Sequence, residues 1–303
     1  MHTTESDLRA EFDELRAAGK QATDEGRLDD ALRLYHACVE RAEALGDCDR
    51  ADLAFCNRCA IEITLGRHEG LIRGLRDILS RSTDRLNRLA AAYNLARIYE
   101  YRRDTRKGML YARIARGEQR ERSVPDPYWE AGLHNQIGSF LLLESRFSEA
   151  AAEYERALEI DPDTSEVRLA VSRQNLGYCW LMLGQHQRGL GMLYRSLRAH
   201  RRSQVLDHQM QVHLDLCYGL LEVGRFRAAA RHAERALALA EQLESPAALK
   251  NALYLLGEAE HLLGHDDGAR ACFDRLQNLF PDTPFVADLL MAVDIRQMIN
   301  LRA

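Results

Sequence analysis

The 303-residue sequence predicts an all-α fold, a solenoid of seven helix pairs followed by one further helix, on three landmarks that recur in register. The first is a turn residue: Gly26, Gly66, Arg103, Ser145, Gly184, Gly224 and Gly264, at intervals of 40, 37, 42, 39, 40 and 40 residues. The second is a dipeptide ending in a small residue ahead of each turn: Ala18-Gly19, Arg58-Cys59, Leu95-Ala96, Ile137-Gly138, Leu176-Gly177, Leu216-Cys217 and Leu256-Gly257. The third is a stripe at i, i+4, i+7 behind each turn, which helical spacing places on one face. It reads Ala31/Tyr35/Cys38, Leu71/Leu75/Ile78, Gly108/Ala112/Ala115, Ala150/Tyr154/Ala157, Gly189/Leu193/Ser196, Ala229/Ala233/Ala236 and Ala269/Phe273/Leu276.

Each element follows from this grammar. Residues 5–25 form the first helix, with Ser6 or Asp7 available to cap its orphan N–H groups. Gly26 ends it, and Asp29 and Asp30 open the partner helix at its positive end. The six prolines, at 125, 127, 162, 246, 281 and 284, fall between helices. SVPDPYWE (123–130) reads as a longer inter-repeat loop, with a lobe boundary as the alternative. Residues 285–301 read as one helix with Phe285, Leu289, Val293 and Ile299 broadly on one side, covering the apolar face of the last pair. The rival role is docking on a second chain, since Met291, Met298 and Leu301 lie outside that face.

At 46% hydrophobic and 29% charged residues the chain can bury a sizeable core, and a net charge of −5 gives no general pull toward nucleic acid or anionic membrane. No run reaches the roughly 18 apolar residues of a membrane span. The acidic start lacks a secretion signal and the seven cysteines are an odd number, so the expected location is cytoplasmic.

The segment 131–162, AGLHNQIGSFLLLESRFSEAAAEYERALEIDP, resembles the tetratricopeptide repeat (TPR) in its small-aromatic-small second helix and closing Pro162. The resemblance implies a right-handed α-solenoid of seven TPR-like helix pairs plus a C-terminal capping helix, with repeats near 8–46, 50–82, 87–122, 128–162, 166–203, 207–244 and 246–282 and the cap at 284–301. It implies one domain over 1–303, of the long-repeat type with helices about one turn longer than usual. It also implies a concave groove lined by the first helix of each pair and a role in protein recognition as a scaffold or adaptor.

On that implied groove the residue before the dipeptide reads Asn57, Asn94, Gln136, Asn175 and Asp215. A carboxamide both donates and accepts, so a row of them could pair with the backbone of an extended peptide. The alternative use is a bond to the neighbouring helix. Tyr93, Tyr178, Tyr218 and Tyr254, with Arg97 and Tyr101, are candidates for side-chain selectivity. Packing between adjacent first helices is their alternative. The carboxylate clamp of chaperone-binding arrays is not matched, because Arg16 and Lys20 are followed by Cys56 and Ala60 in the next unit.

Residues 97–122 hold nine basic side chains against four acidic ones, mostly on a second helix. Arg113, Arg116 and Arg120 there could dock an acidic protein surface, making the chain a regulatory subunit of an effector enzyme or transcription factor. Nucleic acid is not expected, since no stacking aromatics are interleaved. Cys56-x-x-Cys59 lacks a second ligand pair for structural zinc, and Gly264 separates His261 from His265. No HExxH, phosphate-binding glycine loop or GxSxG occurs. The expectation is therefore a non-enzymatic chain with no metal or cofactor and a protein or peptide partner. Self-association is allowed but not predicted.

Overall fold

The computed structural model describes residues 5–160, 165–298 and 300–301, and among these there are fifteen α-helices and no strand. They follow one another along the sequence as seven helix–turn–helix units. The pairs are α1 (Glu5–Asp24) with α2 (Leu28–Leu45), α3 (Cys48–Thr64) with α4 (Leu71–Arg81), and α5 (Arg85–Tyr101) with α6 (Thr105–Arg120). Next come α7 (Pro127–Leu143) with α8 (Phe147–Ile160), and α9 (Glu166–Met182) with α10 (His186–Arg202). The last are α11 (Leu206–Glu222) with α12 (Phe226–Gln242), α13 (Pro246–Leu262) with α14 (Asp266–Gln277), and then the short α15 (Val286–Ala292). The chain divides into two compact units, Met1–Phe140 and Leu141–Ala303, so the boundary falls inside α7 and not at 123–130.

All seven turn residues that set the register have positive φ, from 54° at Arg103 to 78° at Gly264. At each, the turn residue's N–H and the next N–H reach back to carbonyls three and five residues earlier, as in Gly26 N to Thr23 O and Arg27 N to Ala22 O. This is the Schellman closure, which needs a left-handed residue and therefore favours glycine. Arg103 and Ser145 adopt it without that freedom. The other landmarks are equally interior: every stripe residue and every small dipeptide residue is buried. Gly108 shows why size matters, since a Cβ there would sit 2.2 Å from the Phe140 ring.

Several expectations are corrected. Ser6 and Asp7 lie inside α1, which is already helical at Glu5. Pro127 and Pro246 do not lie between helices but are the first residues of α7 and α13, where the missing N–H would have had no partner anyway. The loop before α7 is only 121–126, fastened by Gln119 Nε2 donating to Asp126 O at 2.9 Å. Pro162 and Ile299 lie outside the described residues.

The last segment departs most. α15 stops at Ala292, where Val293 turns extended (φ −136°, ψ 124°), and only a 3-10 turn, Arg296–Met298, follows. The cause is local: Asp294 Oδ1 accepts from Arg296 N at 2.9 Å, a side-chain turn that competes with helical bonding. α15 itself buries Ala287 and Leu290 in the core shared with α14.

Candidate functional site

In the first unit the proposed carboxamide row turns inward. Asn94 Nδ2 of α5 donates to Cys56 O of α3 at 2.8 Å, and Gln136 Nε2 of α7 donates to Tyr93 O of α5 at 3.2 Å. Both side chains are buried. In the second unit Asp215 is 1% exposed and accepts from Gln174 Nε2 at 2.9 Å, linking α11 to α9. These three groups tie first helix to first helix and are closed to a ligand, which corrects their expected role. The reason is geometric: the residue before each dipeptide faces the seam between successive first helices. Asn57 and Asn175 are half-buried.

Arg97 is drawn to the same neighbour, donating to Ala60 O and to Thr64 Oγ1 at 3.2 and 2.8 Å. Tyr93 packs edge-on against Trp129 with ring centroids 5.4 Å apart. Tyr101 is 54% exposed and stacks on His68. These residues do not converge on one pocket.

The second unit does bring groups together. Tyr178, Tyr218 and Glu258 occupy the position just after the small residue in α9, α11 and α13. Against this face of the first helices run the chain's own residues 293–298 and 300–301. Tyr178 Oη donates to Asn300 Oδ1 and accepts from Leu301 N, both at 3.0 Å. Asn251 Nδ2 of α13 donates to Leu301 O at 3.2 Å, so both backbone groups of Leu301 are held. Asn300 Nδ2 donates to Leu142 O at the end of α7 and to Ser145 Oγ, each at 3.1 Å. Arg296 lies between Glu222 of α11 and Glu258 of α13, with nitrogen–oxygen distances of 3.6 Å to each, and pairs with Asp294 at 2.6 Å. Ile295 and Leu301 pack on the core.

Burial shapes the acid–base character of this face. It pushes the Glu258 carboxyl up to about 7, reinforced by the nearby Asp294 charge and opposed by Arg296. The Tyr218 hydroxyl is pushed up to about 12 and that of Tyr254 further, chiefly by burial. The Tyr254 hydroxyl has no hydrogen-bond partner among the described residues.

Asn251, Glu222 and Glu258 are not among the sequence-level candidates. The signal that finds them is the register position of Tyr178 and Tyr218, which Glu258 shares, with Glu222 one turn beyond Tyr218. Elsewhere, Arg113 and Arg120 are exposed and Arg116 is half-buried on α6, and none of the three has an ion pair among the described residues. A cavity of ≈ 170 Å³ beside them is lined in part by Arg116, Arg120, Glu130 and His134. Among the described residues no group of three or more His, Cys, Asp or Glu is placed to hold a metal, and no helix is long and apolar enough to cross a membrane.

Stacked helix pairs with small-residue seams, closed by left-handed turns at a fixed interval, define the class of repeat solenoids built from TPR units. Residues 131–164 match the family model described as Tetratricopeptide repeat, and the helix pairs on either side follow the same pattern. A search of curated proteins gives no match. Among solved structures, the chain is similar to a signal transduction ATPase with a tetratricopeptide repeat sensor from Pyrococcus horikoshii: 15% identity, 96% of this chain, 46% of that chain, TM-score 0.66. It is similar to a Rap protein complexed with Competence and Sporulation Factor: 15% identity, 79% of this chain, 70% of that one, TM-score 0.66. It is also similar to BtubC from P. vanneervenii: 22% identity, 74% and 92% coverage, TM-score 0.57. At these identities the likeness is one of fold.

Proposed function

We propose that the chain is a non-enzymatic protein-recognition scaffold that holds an extended segment of a partner on the first-helix face of its second unit. The observation that carries this reading is the handling of residues 300–301, where side chains of α9 and α13 bond the backbone N–H and C=O of Leu301. Main-chain recognition of this kind serves an extended peptide of varied sequence, with neighbouring pockets adding selectivity. The Rap structure solved with Competence and Sporulation Factor supports the reading by analogy of fold only.

The test is a displayed peptide library selected against the full chain and against the full chain carrying Asn300→Ala. Peptides recovered on either should lose at least about tenfold in affinity on Tyr178→Phe, the cost of one removed hydrogen bond to a bound ligand. Affinity unchanged by Tyr178→Phe and by Asn251→Ala would reject the site.

A second reading is favoured by Arg113, Arg116 and Arg120 on α6, which have no ion pair among the described residues: an acidic protein surface docks there and the chain acts as a regulatory subunit. Charge reversal at the three positions should then abolish an association that Tyr178→Phe leaves intact.

A further inference from the structure

The segment on the second unit is held by polar groups at three points, and its fit is incomplete. Arg296 approaches Glu222 and Glu258 only to 3.6 Å, and among the described residues neither its Nη1 nor the buried Tyr254 hydroxyl near it has a hydrogen-bond partner. A buried donor without a partner is costly, so a ligand that satisfies it gains. Asp294 adds a negative charge next to Glu258, and the two carboxylates oppose one another across Arg296. The raised Glu258 carboxyl is consistent with that opposition. Beyond α15 the segment carries only the 3-10 turn Arg296–Met298, so leaving the face breaks no α-helix.

We propose that Asp294–Met298 with Asn300 and Leu301 are a displaceable internal ligand, occupying the face that a partner segment with an arginine and, four residues on, an asparagine followed by an aliphatic residue would take. The inference rests on the proposed recognition role and adds to it both the partner's chemistry and a built-in competitor. Charge complementarity sets the arginine, since Glu222 and Glu258 flank its position from adjacent first helices. The asparagine is set by its two-sided contacts: it accepts from Tyr178 and donates to the last turn of α7. A partner lacking the acidic residue at the Asp294 position would leave Glu258 opposed by nothing and should bind better than the internal segment.

The experiment uses the full chain and a fluorescein-labelled peptide of residues 291–301, MAVDIRQMINL, read by fluorescence anisotropy. Arg296→Glu in the chain ejects its own segment by placing a third negative charge beside Glu222 and Glu258, while leaving the receiving face intact. This chain should bind the peptide at least tenfold more tightly than the wild type does, and adding Tyr178→Phe should remove the gain. A peptide with Asp294→Asn should bind tighter still. Circular dichroism establishes folding of the variant; should Arg296→Glu not fold, the milder Asn300→Ala chain decides by the same comparison. Equal affinity for wild type and variant, or no binding to either, overturns the proposal. A library peptide that binds wild type and variant equally through Tyr178 would overturn the competition alone and leave the recognition role standing.

Discussion

The first helices of both units carry polar seam groups, Asp215 and Gln174 among them, and those of the second unit also turn polar side chains to a segment of the chain. In the first unit Asn94 and Gln136 donate to backbone carbonyls of the preceding first helix, and the groups disappear into the seam. In the second unit Tyr178 and Asn251 donate to a segment lying across the helices. The difference is one of register. The residue before the recurring dipeptide faces the seam at Asn94, Gln136 and Asp215, whereas in the second unit the residue after it, Tyr178, Tyr218 or Glu258, lies on the face that meets the bound segment. A carboxamide is suited to a peptide by its chemistry, but its place on the helix decides what it meets.

The contrast can be broken first in the seam. Asn94→Ala leaves Cys56 O without its side-chain donor and opens a small void, and should cost about 2 kcal/mol of stability in urea unfolding. Peptide binding on the second unit should be unaffected. A loss of binding with unchanged stability would reverse the roles assigned to the two positions.

Acid sharpens the comparison next. In the second unit burial depresses His200 and His232 to about 4 and His213 to about 3, the last two with ring nitrogens 2.7 Å apart. Between the unfolded value near 6.5 and these folded values the unfolded chain binds more protons, so stability falls as pH falls. Glu258, raised to about 7, acts oppositely: the folded state binds the proton, and its contribution weakens as pH rises from about 4.5 to 7. Three histidines outweigh one carboxyl, and the net expectation is destabilisation from pH 6.5 to 4. His213→Phe should flatten that slope in thermal melts across the range. A slope that does not change would remove the histidines as its cause.

Tyr178→Phe should then give the mirror image of Asn94→Ala. The ring stays packed between Phe147 and Tyr218, so stability changes by about 1 kcal/mol or less, while the two Tyr178 bonds to Asn300 and Leu301 are lost. Smallest is Arg103→Gly, which relieves a left-handed non-glycine turn and should raise stability by about 0.5–1 kcal/mol. A drop in melting temperature would show that the Arg103 side chain contributes more than its backbone conformation costs.

Much of the fold is legible in the residues because a left-handed closure demands a small set of them. Five of the seven turn positions are glycine, and the register carries Arg103 and Ser145 into the same conformation although neither announces it. The buried stripes are legible for a related reason: helical spacing alone puts Ala150, Tyr154 and Ala157 on one face. The site is less so. Side-chain direction at the seam turns on a rotation of about 100° between successive helical residues, which composition does not reveal. Val293 to Leu301 keeps a helix-like apolar spacing, yet Asp294 bonds forward to Arg296 and ends the helix. That single local competition redirects the segment onto the second unit, and no pattern of hydrophobic residues records it.

Amide hydrogen exchange at Leu301 tests most directly that the second unit grips an extended backbone. Its N–H donates to Tyr178 Oη, so it should exchange slowly in the wild-type chain and at the rate of an unstructured peptide in Tyr178→Phe. Unstructured-peptide exchange at Leu301 in the wild type would contradict the account.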